Sequence, residues 1–158
     1  MSNTQNTDIE ITTDAARIDA EAAHAFLTTS YWSPGIPLDV VQRAIANSLC
    51  VAARSGGAQV GFARLVTDRA TFAYLADVHV LADYRGRGIA HRMLEALFGH
   101  VDVQGLRRLM LVTRDAHALY RGFGFTAASA PERIMERVTR NAYAGSIVGS
   151  INRVEESS

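Results

Sequence analysis

The chain has 158 residues, a formal net charge of zero and a pI near 7.0, with 48% hydrophobic and 20% charged residues. This length suits one domain, and the balanced charge gives no bulk electrostatic attraction to nucleic acid. The single Cys50 excludes an intramolecular disulfide, the polar first twenty residues do not resemble a secretory signal, and no apolar run reaches the length of a membrane span. We expect a cytoplasmic protein without nucleic-acid or membrane partners.

Hydrophobic periodicity predicts strands and helices in the order β-α-α-β-β-β-α-β-α-β. We expect a flexible tail over residues 1–8, one domain over 9–140 and a second tail over 141–158. Weak helical spacing in the second tail leaves open that it docks on the core or on another subunit. The predicted strands are Ile9–Thr13, Leu49–Arg54, Gln59–Thr67, Thr71–Leu81, Leu106–Thr113 and one or two within Phe125–Thr139. The predicted helices are Asp19–Thr29, one starting near Pro37, Arg87–His100 and Ala116–Gly122.

The segment from Arg85 to Ala90, with the sequence RGRGIA, joins a predicted strand to a predicted helix. Its two glycines allow a sharp turn and a close approach of the backbone to a ligand. The first N–H groups of a helix lack intrahelical partners and lie at the positive end of the helix dipole, so the junction can cradle a pyrophosphate. It is not a P-loop, because Gly88 is followed by Ile and Ala rather than by Lys and Ser or Thr. A tight turn without a ligand is the alternative interpretation.

A second motif follows the next predicted strand, where Leu119-Tyr120 precedes Gly124-Phe125. Together the two segments resemble the GNAT superfamily of acyl-CoA-dependent N-acyltransferases. That family's cofactor motif is Arg or Gln, two variable residues, Gly, one variable residue, and Gly or Ala; here it is matched by Arg85, Gly88 and Ala90. The resemblance covers residues 48–138. One departure is Thr113, which stands where the family often has Asn.

This resemblance implies an α/β (α+β) fold with a mixed, mostly antiparallel sheet of about six or seven strands and helices on both faces. Two splayed strands would form the coenzyme A cleft. It also implies acetyl-CoA as co-substrate, no metal, and transfer of the acetyl group to a primary amine by direct attack in a ternary complex. We expect the unidentified acceptor to be a small-molecule or peptide amine, and a homodimer is left open. The alternatives are a non-catalytic acyl-CoA-binding sensor or interaction module, and an unrelated binder of phosphate esters.

The resemblance also assigns roles to residues. Tyr120 would donate a proton or hydrogen bond to the departing thiolate, and Tyr31 and Trp32 would border the acceptor pocket, with His117 either lining the site or capping its helix. The implied cofactor contacts are the backbone of Val78 and Val80, the cradle residues Arg85, Gly86, Arg87, Gly88, Ile89 and Ala90, and the residues Thr113 and Arg121.

The strand Thr71–Leu81 carries a polar pair, Asp77 and His79, within an otherwise apolar run. Simple alternation places both on one side of the strand with Ala73, Leu75 and Leu81. Buried polar side chains cost free energy unless they are paired or functional. We predict that the pair faces the acceptor pocket and helps the incoming amine lose its proton. The alternative is that backbone groups or helix caps satisfy both side chains.

Overall fold

The computed structural model describes residues 8–147 of the chain. Within this range none of the helices combines the length and apolarity that crossing a membrane requires. The strands are β1 (Ile9–Thr12), β2 (Leu49–Ser55), β3 (Ala58–Thr67), β4 (Phe72–Val80) and β5 (Arg108–Met110). The helices are α1 (Ala20–Leu27), α2 (Leu38–Ala46), α3 (Ile89–Phe98), α4 (His117–Arg121) and α5 (Ala144–Ile147). Residues 1–7 and 148–158, which belong to the two predicted tails, lie outside the described residues.

The strands form one sheet in the order β1-β2-β3-β4-β5. The first four are antiparallel neighbours, and β5 pairs in parallel with β4 after a crossover through α3. Helix α3 packs on one face of the sheet, whereas α1 packs on the other face and against α2. The predicted α/β class, with a mixed and mostly antiparallel sheet between helices, is therefore confirmed.

Each face of the sheet has its own hydrophobic core. The first core lies under α3 and includes Met93, Leu94 and Leu97 of that helix, with Leu65 and Leu75 of the sheet. The second, smaller core lies under α1 and α2 and comprises Ala23, Leu27, Ile36, Val41, Cys50 and Phe62. Outside the helices, Tyr143 packs against this second core. The two cores cover the two faces of the sheet, whereas β5, which has no fully buried residue, is its less enclosed end.

Local sequence explains where several elements begin. The Asp19 carboxylate accepts a hydrogen bond of 3.0 Å from the Ala22 amide and so caps α1. Pro37 lies directly before α2, where its fixed φ suits the start of a helix. Gly56 and Gly57, with φ of +55° and +91°, form the tight turn of the β2–β3 hairpin. These three boundaries agree with the prediction.

A β-bulge in β4 changes which side chains share a face. Phe62 pairs with His79 and Arg64 pairs with Ala76, so Asp77 and Val78 together stand opposite Ala63. Asp77 is the inserted residue, and its φ of +62° is left-handed. Strict alternation had placed Asp77 and His79 with Ala73 and Leu75. That assignment is wrong, because Val78 and Val80 join Ala73 and Leu75 in the first core, and His79 faces the second core.

Between residues 8 and 147 the sheet has five strands, whereas six or seven were expected. No strand forms within 125–139; the segment contains only a 3-10 turn, Pro131–Arg133. Residues 131–140 are exposed, so the segment contributes little to either core. The predicted strand Leu106–Thr113 is also shorter than expected, because β5 is paired only over three residues and then diverges from β4.

Candidate active site

A cleft of about 650 Å³ opens where β4 and β5 separate. Pairing between the two strands ends at Tyr74 and Met110. Beyond this point residues 75–78 form one wall of the cleft and residues 111–113 form the other. The backbone of both walls is free of strand neighbours on the cleft side. This is the splayed pair of strands that the sequence resemblance implies, and we call the space the central cleft.

The predicted cradle lies at the start of α3. Gly86 and Gly88 have φ of +75° and +74°, and Gly88 occupies the N-cap position. A Cβ at either glycine would meet no protein atom within 4 Å, so the space in front of the loop is open to a ligand. The first helical hydrogen bond runs from the Arg92 amide to the Gly88 carbonyl. The amides of residues 89–91 therefore precede the helical ladder and are free to bind an anion.

The two arginines of the cradle have different surroundings. The Arg85 side chain turns back to β4, where its Nε donates a hydrogen bond of 2.9 Å to the Val80 carbonyl. The Arg87 guanidinium lies 5.2 Å from the centre of the Tyr84 ring. Ile89 is buried in the first core and, with Ala90 packed against that core, anchors the start of the helix. Arg85 thus fixes the loop to the sheet, while Arg87 adds positive charge near its surface.

Tyr120 lines the central cleft and is largely buried. Helix α4 buries its ring against the first core, and the Phe125 amide donates a 3.2 Å hydrogen bond to the Tyr120 carbonyl. Within the described residues the hydroxyl makes no hydrogen bond. Burial raises the pKa of Tyr120, and the charge of Asp115 and the nearby Tyr31 hydroxyl add to this effect. The hydroxyl is therefore protonated at neutral pH and available as a donor.

The structure brings only some of the other predicted residues to this cleft. Thr113 lines it, and its hydroxyl oxygen accepts a 3.0 Å hydrogen bond from the Ala116 amide while its proton remains available. His117 and Arg121 line a different cleft, on the far side of β5. Only Tyr120 of α4 therefore reaches both clefts, because the side chains of a helix point to different sides.

Asp77 joins separate segments on one side of the central cleft. One carboxylate oxygen accepts a 2.6 Å hydrogen bond from Arg64 Nε, and the other accepts a 3.0 Å hydrogen bond from Trp32 Nε1. The Arg64–Asp77 ion pair is largely buried, and Arg64 also donates to the Ser48 hydroxyl. The carboxylate thus ties the bulge of β4 to β3 and to the loop after α1. Asp77 and Trp32 both line the cleft; that they border an acceptor pocket stays a prediction.

His79, in contrast, lies behind the wall of the cleft. Its ring stacks on Phe26, with centroids 4.0 Å apart and planes 4° apart, and its Nδ1–H donates a 2.9 Å hydrogen bond to the Asp77 carbonyl. Burial lowers the pKa of His79 to about 4, although the Asp77 charge and the hydrogen bond oppose this shift. Because the His79 imidazole does not line the cleft, it cannot exchange a proton directly with a molecule bound there.

Aromatic side chains surround the mouth of the cleft. Tyr31 and Trp32 are exposed and stand edge to face, 5.1 Å apart, and the Arg114 guanidinium lies 4.0 Å from the Tyr31 ring centre. This contact joins the loop after α1 to the loop after β5. The sequence prediction missed Arg64, Tyr74, Arg114, Asp115 and Tyr143 as lining residues. A lone arginine within the apolar strand β3 was a usable signal for Arg64; the others depend on tertiary proximity.

Comparison with known proteins identifies the family. The model of the acetyltransferase (GNAT) family matches residues 17–125. A Gibberella zeae protein that bears an acetyltransferase name is 31% identical over 136 residues, covering 72% of this chain and 76% of that protein. The chain therefore belongs to the GNAT acetyltransferase family, whose members use acetyl-CoA.

Solved structures agree with this assignment. A GNAT-family acetyltransferase structure from Xanthomonas campestris pv. campestris has a TM-score of 0.83 and 44% identity, with 86% of this chain and 96% of that chain covered. An acetyltransferase from Clostridium acetobutylicum, solved with acetyl-CoA, shares the fold with a TM-score of 0.61 and 17% identity, over 82% of this chain and 96% of that one. In residues 8–147 of the present chain, no cluster of side chains suited to a metal ion is found.

Proposed function

We propose that this chain is an N-acetyltransferase that transfers the acetyl group of acetyl-CoA to a primary amine within a ternary complex. One observation carries the proposal: Tyr120, whose hydroxyl makes no hydrogen bond within the described residues, lines the same cleft as the exposed aromatic side chains of Tyr31 and Trp32. The open cradle at Gly88 follows the end of β4, which is the strand that forms one wall of the cleft. A thioester laid along that wall would meet an amine entering between Tyr31 and Asp77.

The chemistry has two proton requirements. An alkyl amine of pKa about 10.4 must lose a proton before attack, which costs roughly 4.6 kcal/mol at pH 7. Its nitrogen then bonds to the thioester carbon, the carbon–sulfur bond breaks to leave a thiolate, and the nitrogen releases its second proton through water, which can protonate the thiolate to the thiol. The thiolate has a pKa near 8.5, so proton transfer from a tyrosine of ordinary pKa is already uphill by about 2 kcal/mol. Because burial raises the pKa of Tyr120 further, we propose that Tyr120 acts chiefly as a hydrogen-bond donor to the sulfur.

The amine's proton has a different route. His79 is neutral and behind the wall, so the group of the predicted pair that reaches the cleft is Asp77. Its carboxylate already accepts two hydrogen bonds and retains further lone pairs. We propose that Asp77 orients the incoming ammonium and that the proton leaves to water in the open mouth of the cleft.

Two measurements test this proposal independently. Calorimetry with coenzyme A tests the cradle, and release of free thiol from acetyl-CoA with a panel of primary amines tests catalysis. We expect binding together with amine-dependent thiol release. Tyr120→Phe should lose most of the turnover, whereas Tyr84→Phe, which removes a hydroxyl outside the cleft, should retain it. Binding without release for any amine would support the non-catalytic acyl-CoA-binding module instead, and absence of binding would reject both.

A further inference from the structure

The central cleft contains a charged side chain that the proposed reaction does not use. Among the described residues, four charged side chains line this cleft: Arg64, Asp77, Arg114 and Asp115. Arg64 and Asp77 neutralise each other through their ion pair. Between residues 8 and 147 the Arg114 guanidinium has no ion-pair partner and no hydrogen bond, and the same is true of the Asp115 carboxylate. The described lining therefore presents one uncompensated positive charge and one uncompensated negative charge.

The Arg114 guanidinium is held through its face. Its central carbon lies over the Tyr31 ring, 4.0 Å from the ring centre, in a cation–π contact. A guanidinium is planar, and its N–H donors point outward from the edge in a fork that matches the two oxygens of a carboxylate. The contact with Tyr31 therefore orients the group and leaves this fork available to a ligand in the cleft.

This guanidinium lies close to the proposed reaction centre. Burial is the main cause of the raised pKa of Tyr120, and the charge of Asp115 and the Tyr31 hydroxyl add to it, so both groups lie near the Tyr120 hydroxyl. Arg114 rests on Tyr31, and Asp77 lines the same cleft. A cation and two carboxylates thus surround the space next to Tyr120. A ligand that contacts both kinds of charge there needs only a short separation between its own two charges.

We propose that the amine acceptor is an amino acid whose carboxylate is bound by Arg114 while its ammonium group faces Asp77 and Asp115. This inference rests on the proposed acetyl transfer and deepens it by naming the class of acceptor. The carboxylate accepts two parallel hydrogen bonds from the guanidinium, which is the strongest geometry for this pair of groups. The two acidic side chains attract the ammonium until it loses its proton to water. Arg114 is thus a specificity-determining residue.

The remaining lining favours an apolar or aromatic side chain on that amino acid. The rings of Tyr31, Trp32 and Tyr74 and the aliphatic side chains of Ile36 and Leu75 line the cleft. A polyamine would bring a second positive charge towards the uncompensated guanidinium and is disfavoured for that reason. An amine without any charge besides its ammonium would leave the guanidinium without a partner. An aromatic amino acid matches both the rings and the charges.

The emission of Trp32 provides a binding signal that does not require turnover. Trp32 is the one tryptophan of the chain and lines the cleft, so its fluorescence should change when a ligand enters. The probes are phenylalanine and phenylalaninamide, titrated into protein saturated with coenzyme A at about pH 6, where both α-amines are protonated. We expect the Kd of the amide to exceed that of the amino acid at least about tenfold. Equal Kd values, or no binding of either probe, would overturn the proposal.

Substitution of Arg114 tests whether its guanidinium causes this preference. Arg114→Gln should reduce the ratio of the two Kd values to about one. Arg114→Lys keeps the charge without the planar fork, so it should retain only part of the ratio. Arg107→Gln is the matched control, because Arg107 is exposed and does not line the cleft, and it should retain the full ratio. An unchanged ratio in Arg114→Gln, or an equal loss in Arg107→Gln, would refute the role of Arg114. Circular dichroism establishes that each variant is folded.

Thiol release from acetyl-CoA separates this inference from the proposed function. The acceptors are phenylalanine and phenethylamine, which has the same ring and amine but no carboxylate. The ratio of their kcat/KM values should fall about tenfold or more from the wild type to Arg114→Gln. Release with phenethylamine, together with a ratio that Arg114→Gln does not change, would keep the acetyltransferase and overturn the inference. A binding preference for phenylalanine without release from any amine would support the carboxylate site and reject the proposed transfer.

Discussion

Substitutions at Asp77 should separate the energy of an ion pair from that of a strained backbone. The carboxylate is the acceptor for both Arg64 and Trp32, and the residue has a φ of +62°. Removing one partner of a largely buried ion pair costs about 3–5 kcal/mol. A left-handed conformation costs a non-glycine residue about 1–2 kcal/mol, and asparagine tolerates it better than alanine. The three variants Asp77→Asn, Asp77→Gly and Asp77→Ala therefore differ in what they lose.

The expected order of stability follows from these terms. Asp77→Asn keeps an oxygen for the Trp32 indole and loses only the charge, so we expect a loss of about 2 kcal/mol. Asp77→Gly loses the pair but relieves the backbone. Asp77→Ala should be less stable than Asp77→Gly by about 1 kcal/mol, because the strain of about 1–2 kcal/mol outweighs the greater unfolded-state entropy of glycine, worth about 0.4–1 kcal/mol. Asp102→Ala, which breaks the more exposed pair with Arg69, should cost less than 1 kcal/mol.

Urea unfolding followed by circular dichroism measures these free energies. The emission of Trp32, the one tryptophan of the chain, reports separately whether its indole has lost the hydrogen bond to Asp77. If Asp77→Ala proved as stable as Asp77→Gly, and both lay within about 1 kcal/mol of wild type, the strain and the ion pair would both have been misjudged. If Asp77 also orients the acceptor, the Asn variant should raise the KM of the amine and leave acetyl-CoA affinity unchanged.

Three further outcomes are expected. Tyr120→Phe should lower kcat about ten- to a few-hundred-fold without changing acetyl-CoA affinity. The wild-type rate should not fall through ionisation of Tyr120 below about pH 10, because the pKa of this residue is raised. Full kcat in the variant, under conditions where chemistry limits the rate, would remove Tyr120 from the mechanism. The pKa of His79 is about 4 in the folded chain and about 6.5 in the unfolded chain, so the folded chain binds fewer protons between these two values. The free energy of unfolding should therefore fall as the pH drops through this window, by up to about 3 kcal/mol. His79→Phe should abolish this part of the pH dependence in urea titrations, and an unchanged dependence would contradict the burial argument. Gly88→Ala should abolish coenzyme A binding in calorimetry. Gly57→Ala is the control, because Gly57 also has a positive φ and open space around a new Cβ; it should destabilise the fold as much as Gly88→Ala does but bind coenzyme A normally. Equal binding by the two variants would leave the cradle unsupported.

Much of the fold could be predicted from the order of residues alone. Alternation and helical spacing located β1, the β2–β3 hairpin and α3, because each element buries one regular face against a core. The glycine cradle was also predictable, since Gly86 and Gly88 adopt the left-handed conformations that glycine permits. The position of Tyr120 followed from its motif, and the structure places it in the cleft.

Other features depend on contacts between segments distant in sequence. The bulge at Asp77 comes from the pairing of β4 with β3 and is stabilised by Arg64, thirteen residues away, and by Trp32, forty-five residues away. No periodicity within β4 reveals such an insertion, and one extra residue reverses every face beyond it. This is why His79 lies against Phe26 rather than with Leu75.

The β5 end of the sheet also combines features that the sequence predicts with features that only the tertiary structure decides. The apolar side chains of residues 125–139 predict one or two strands. The structure, which describes all of these residues, has no strand in this segment. A strand needs a partner edge as well as a suitable sequence, and the chain directs this segment away from β5. The sequence alone thus determined the local elements and the glycine turn that precedes α3, and it predicts Tyr120 as the donor. Only the tertiary structure decided which side chains reach the cleft and which edge stays open, because pairing is a property of two segments rather than one.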